Sequence, residues 1–163
     1  MSEGVPVELV GVRIELPSNQ PIVLLKESAG TRYLPIWIGA GEATAIAFAL
    51  EGVHPQRPLT HDLLKLALDA LDAAVQRVVV TEMRDGIYYA DLVLQRDGRE
   101  ITVSSRPSDA IALAARTGSP IFVAPQVLED SGVEIHDEEE EDDEVARFRN
   151  FLDSVKPEDF DSA

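Results

Sequence analysis

The chain has 163 residues, 45% of them apolar, no cysteine and a formal net charge of −16. That length suits one compact domain, and the missing cysteines exclude a disulfide framework, thiolate metal sites and cysteine nucleophiles. Asp137 to Glu144 contributes eight acids, which leaves −8 on the rest, and such a body repels nucleic acid at long range unless a metal ion or a local basic patch intervenes.

Met1 to Pro6 shows no basic stretch followed by an apolar one, so no signal peptide is expected. Val10, Val12, Ile14 and Leu16 alternate with smaller or polar residues, a strand pattern, and the Pro17–Pro21 stretch reads as a turn. Ile22 to Lys26 and Arg32 to Ile38 read as two further strands around Ser28-Ala29-Gly30. The spacing then predicts a helix over Ala43 to Glu51, stopped by Gly52. Its apolar run, Ala43 to Leu50, is too short to cross a bilayer. A cytoplasmic protein with no membrane partner is expected.

Pro55 and Pro58 mark a linker from Val53 to Leu59. Thr60 suits an N-cap for a helix from His61 to Ala74, whose Leu63, Leu64, Leu66, Ala67, Leu68, Ala70 and Leu71 form a broad apolar face opposite Lys65, Asp69 and Asp72. Three strands follow, Val78 to Met83, Tyr88 to Leu94 and Glu100 to Val103, separated by Asp85-Gly86 and Asp97-Gly98, the dipeptide that favours tight hairpins. Pro107 opens another helix to about Thr117, stopped by Gly118, and Ile121 to Val123 reads as a closing strand.

Three strands and a small-residue helix thus occur twice, with Glu42-Ala43 matching Asp109-Ala110 at the two helix starts. The expected fold is α+β: duplicated three-strand-plus-helix units on a mostly antiparallel sheet, an extra central helix and a C-terminal tail helix. Residues 1–127 form the domain, 128–144 an acidic linker and 145–163 an amphipathic helical tail, spaced through Val145, Phe148, Phe151, Leu152 and Val155. That tail is expected to dock on the body or on a partner. Both small-residue helices are apolar nearly all round, which implies cover on more than one side and hence a homo-oligomer, most simply a dimer.

The common catalytic signatures are absent: no glycine-rich phosphate loop, no nucleophile elbow, no histidine pair at helical metal spacing. Ser104, Ser105 and Ser108 have no histidine that the sequence alone places beside them. Three polar clusters remain at predicted helix starts: Glu42, Thr60-His61-Asp62 and Arg106-Pro107-Ser108-Asp109. Each taken singly reads as capping, since acids in a first turn oppose the helix dipole and Arg106 can simply pair with Asp109. Taken together they read as phosphodiester chemistry. Glu42, Asp62 and Asp109 would hold Mg²⁺ or Mn²⁺. His61, Asp62 and Asp109 would be catalytic, His61 as general base or acid, and Arg57, Arg106 and Ser108 would bind substrate. Trp37, Tyr88 and Tyr89 read as sheet residues, and His54 and His136 as solvated.

The stretches Leu34–Gly39 with Glu42-Ala43, Arg57–Leu63 and Ser105–Ala114 resemble the bacterial bifunctional nuclease domain family, in the expected order over roughly Val7 to Val127. Arg147–Leu152 and Pro157–Phe160 are similar to the tail of bacterial members. The resemblance implies a nuclease acting on RNA and DNA, with an α+β fold and oligomeric assembly. The resemblance also implies an acid in many relatives where this chain has Ser104; were that acid a metal ligand, this chain would be weakened or inactive. The leading expectation is a divalent-metal-dependent nuclease of low sequence preference. The alternative is a non-catalytic oligomeric regulatory or adaptor module; a third reading is a small-ligand protein using helix starts as an anion site.

Overall fold

The computed structural model describes residues 4–134. The first three strands, β1 (Val5–Glu15), β2 (Gln20–Glu27) and β3 (Arg32–Trp37), form an antiparallel meander followed by helix α1 (Ala40–Glu51). Helix α2 (Thr60–Ala70) precedes a second meander, β4 (Ala74–Arg84), β5 (Ile87–Arg96) and β6 (Arg99–Ser105), and helix α3 (Pro107–Thr117). Strand β7 (Ile121–Val123), helix α4 (Pro125–Ser131) and strand β8 (Val133–Glu134) complete the described chain. The eight strands make one sheet in the order β6-β5-β4-β7-β1-β2-β3-β8. Its β4–β7 pairing is the one parallel pair among the described residues.

This order bears out the α+β expectation and gives the duplication a geometry. The two meanders run outward from β7, α1 packs on β1 and β2, and α3 packs on β4 and β5. Alternation does the sorting, because neighbouring strand residues face opposite sides. Val23 and Leu25 of β2, Val78 and Val80 of β4, and Ala90, Leu92 and Leu94 of β5 join Ile46, Ile111, Leu113 and Leu128 in one core. Both Asp-Gly pairs have positive φ at both residues (54° and 78°, 51° and 73°), the backbone of a two-residue hairpin turn. Gly52 and Gly118 end their helices left-handed at 68° and 71°.

Several boundaries differ from the sequence reading. Strand β1 begins at Val5, five residues early, because a register shift between Leu9 and Gly11 resets its alternation. Val5, Val7 and Leu9 face the core before the shift and Val12 after it. Thr60 is the first helical residue of α2 rather than its cap; Leu59 holds the cap position, its N–H donating to Asp62 Oδ2 at 3.0 Å. Helix α2 stops at Ala70, not Ala74, the chain turning out at Asp72 with φ 56°. The boundary drawn after residue 127 falls inside α4, whose Val127 and Leu128 are buried, and β8 pairs with β3 beyond it. The acidic block and the tail helix of 145–155 lie outside the described residues.

The largest difference concerns α2. No residue of it is buried, and Leu63, Leu66 and Leu71 are 50–58% exposed. The helix meets the body along a mixed edge, where His61, Asp62, Lys65 and Leu68 are only partly exposed and Leu68 packs on the core. For α3 the second cover comes from within the chain: it contacts β4, β5, α1 and α2, and Ala110 to Ala114 are all buried. Its all-round apolarity therefore needs no neighbouring subunit.

Candidate functional site

The starts of α1 and α3 face each other, and the first turn of α2 lies against α3. Glu42, in the first turn of α1, sends Oε1 to Arg106 Nη2 at 2.9 Å. Arg106 caps α3 and turns back on its own helix, Nε donating to Asp109 Oδ2 at 3.0 Å and Nη2 lying 2.9 Å from the same oxygen. The other oxygen of Asp109 receives His61 Nε2 at 2.9 Å. An ionised carboxylate only accepts, so Nε2 is the donor of this bond. His61 is 11% exposed and Asp109 34%, whereas the Arg106 side chain is 66% exposed. A fixed imidazole–carboxylate pair thus stands under an accessible guanidinium.

Glycine at 39 allows this. A Cβ there would overlap Glu42 Oε2, so the carboxyl folds against the bare backbone of the α1 cap. Opposing influences act on Asp109. Burial pushes its carboxyl up, but hydrogen bonds from His61 and Arg106 outweigh this and hold it below the ordinary range. Arg106 is raised by its hydrogen bond to Asp109 and then by Glu42.

Asp62 belongs elsewhere. Its Oδ1 accepts from Arg116 Nε at 2.6 Å, and that bond, with the Leu59 N–H, lowers its pKa against the cost of burial. The expected triad of Glu42, Asp62 and Asp109 therefore does not meet around one ion. No group of three acids or histidines is placed to hold a metal among the described residues. Two of the three do face a shared cation position, which Arg106 Nη2 holds at 2.9 Å from each. Arg57 is exposed in the linker and makes no ion pair among the described residues. Ser108 is 6% exposed, so its hydroxyl is not presented to a polymer. Arg116 escaped the sequence reading; its one signal is position, seven residues after Asp109 and so on nearly the same face of α3.

A sequence model described as the bifunctional nuclease domain matches residues 23–136, which takes in every member of this cluster. The chain belongs to the bifunctional nuclease domain family. An uncharacterised Mycobacterium tuberculosis protein is 48% identical over 161 residues, covering 94% of this chain and 96% of its own length. Bifunctional nuclease 1 of Oryza sativa subsp. japonica is 31% identical over 120 residues, 72% of this chain but 36% of the rice protein. Bifunctional nuclease 2 of Arabidopsis thaliana is 30% identical over 128 residues, 75% of this chain and 39% of its own. The chain thus spans less than two-fifths of the plant nucleases it matches. No described helix of this family member is long and apolar enough to cross a membrane.

Proposed function

We propose that the chain hydrolyses phosphodiester bonds of RNA or DNA, with low sequence preference, at the His61–Asp109–Arg106–Glu42 cluster. The carrying observation is the 2.9 Å bond from His61 Nε2 to Asp109 Oδ1 beside a two-thirds-exposed guanidinium. Asp109 orients the imidazole through that bond, and Nδ1 takes a proton from water. The water oxygen then attacks phosphorus, the bond to the leaving oxygen breaks, and that oxygen receives a proton from the imidazolium. Arg106 uses Nε and Nη2 on carboxylates, and Nη1 is directed to a phosphoryl oxygen, whose growing charge it stabilises. Glu42 fixes the guanidinium from the far side. Glu42 and Asp109 outnumber Arg106 at 2.9 Å, so in this acidic chain the exposed Arg57 is the added cation that helps to admit a polyanion.

A second reading keeps the hydrolysis and changes the cation, and the shared position between Glu42 and Asp109 favours it. With Arg106 displaced, Glu42 and Asp109 would be the two protein ligands of Mg²⁺ or Mn²⁺, an ion that commonly takes one or two carboxylates plus phosphate oxygens. It would supply charge stabilisation at phosphorus. The reading also includes a homo-oligomer, most simply a dimer, through the exposed stripe Leu59, Leu63, Leu66, Ala67 and Ala70 of α2, an apolar surface suited to its own copy.

The test is cleavage of single-stranded RNA and DNA in EDTA and in Mn²⁺, with Asp109→Ala, Asp62→Ala and Arg106→Ala. The leading reading expects turnover in EDTA, lost with Asp109→Ala and Arg106→Ala and kept, in kcat, with Asp62→Ala. Turnover only in Mn²⁺, unharmed by Arg106→Ala, would move the assignment to the ion. Equal cleavage by all four proteins would reject the site.

A further inference from the structure

Beside the first turn of α2 lies a cavity of about 410 Å³, bordered by Asp62 and not by Asp109 and within the range of small-molecule sites. Phe48 from the end of α1, Val53, His54 and Pro55 from the linker, Asp62 from α2 and Arg116 from α3 line it. The walls are mainly apolar and include an aromatic ring. The polar groups converge from two helices. The Arg116 side chain is only 8% exposed. It gives Nε to Asp62 at 2.6 Å and Nη1 to the Ala112 carbonyl at 2.8 Å, so Nη2 is the donor left over. Asp62 Oδ1 and Oδ2 each accept one bond already and keep a further lone pair.

We infer that this cavity seats a nucleobase of the strand being cut. A purely anionic ligand would meet the Asp62 carboxylate, and a purely apolar one would leave Arg116 Nη2 and the remaining Asp62 lone pairs without partners. A base avoids both penalties. Its faces stack on aromatic and apolar walls, and its edge carries donors beside acceptors, the complement of Arg116 Nη2 beside an Asp62 oxygen. The placement follows from helix geometry. Asp62 is the neighbour of His61, and Arg116 stands seven residues from Asp109 on α3, roughly 10 Å along the axis. A strand whose phosphate lies at His61 would therefore lay a base a few nucleotides away into the cavity. The position on the strand rests on the hydrolytic reading; the recognition of a base does not.

The experiment is titration of the full chain with adenosine or guanosine, followed by amide NMR, with inorganic phosphate as control. Either nucleoside should shift the Gly52, Val53, His54 and Gln56 amides saturably, while phosphate alone should not. Ala115→Phe, which fills the cavity, should abolish these shifts and raise KM for oligonucleotides about tenfold, with kcat little changed. Val53→Asp, at a position 43% exposed, puts a carboxylate at the lip without touching the core and should act in the same direction. Nucleoside shifts in a wild type that cleaves nothing would uphold the base site and sink the hydrolytic reading. Wild-type cleavage without nucleoside shifts, or shifts identical in both variants, would overturn the inference.

Discussion

Replacing Asp109 by asparagine keeps the shape of the side chain and removes the charge that holds His61 and Arg106. Two bonds are affected, and their exposures set their worth. The Arg106 arm is 66% exposed and contributes at most about 0.5 kcal/mol. The His61 arm is 11% exposed at 2.9 Å, and with the amide still able to accept, its loss costs about 1 kcal/mol. The sum, about 1.5 kcal/mol, lowers Tm by a few degrees and leaves nearly every molecule folded. Turnover should fall much further, by ~100-fold or more, because the base loses its orientation and its counter-charge. The assay pairs calorimetry with initial rates on labelled single-stranded RNA for the wild type, Asp109→Asn, His61→Ala and the double variant. If the pair acts as one unit, the double variant is no slower than the worse single one, within about threefold. An Asp109→Asn rate near wild type, or losses that multiply, would refute the pairing.

Gly39→Ala should displace the Glu42 carboxyl with little effect on Tm, since φ is −81° at that position and the obstructing atom ends a flexible side chain; a fall in activity with an unchanged Tm would show that Glu42 holds Arg106 in position. Arg116→Gln should cost about 2–3 kcal/mol in denaturant unfolding, less than a fully buried pair because Asp62 is 27% exposed. The Asp62 carboxyl lies below its ordinary 3.8 in the folded chain, so its contribution is complete above that pH and is lost as pH falls through the lowered value. Arg116→Gln should accordingly flatten, though not abolish, the acid slope of stability, because Asp109 is lowered as well. The wild type is expected to be a dimer in light scattering, and Leu63→Lys with Leu66→Lys a monomer with circular dichroism intact; an unchanged mass would exclude that stripe as the contact.

The parts legible from sequence were those set by local chemistry. Asp85-Gly86 and Asp97-Gly98 fix their hairpins because both residues take positive φ, and Gly52 and Gly118 stop their helices for the same reason. What failed depended on partners distant in the chain. The register shift after Leu9 is signalled only by Gly11 at φ 154°, a lone strand glycine that the alternation pattern passes over, so the first half of β1 loses its phase. Helix α2 shows the reverse problem: its apolar face is plain in the sequence, but of that face only Leu68 packs on the core, and His61 and Asp62 meet the body because Asp109 and Arg116 wait there. The domain end drawn after residue 127 falls within a helix that begins at Pro125, with Val127 and Leu128 buried two and three residues on. In the site, residue types and the local Arg106–Asp109 pair were readable, and the pairings between distant elements were not. Nothing in the sequence tells Asp62 to choose Arg116, or Arg106 to stand between Glu42 and Asp109.

Hydrolysis at His61 is tested most directly by single-turnover cleavage of one oligonucleotide, as RNA and as DNA, with purified wild type and His61→Ala at equal folded concentration. The account predicts cleavage of at least one of the two by the wild type and a loss of ~100-fold or more in the variant. Cleavage at matching rates by both proteins would contradict it.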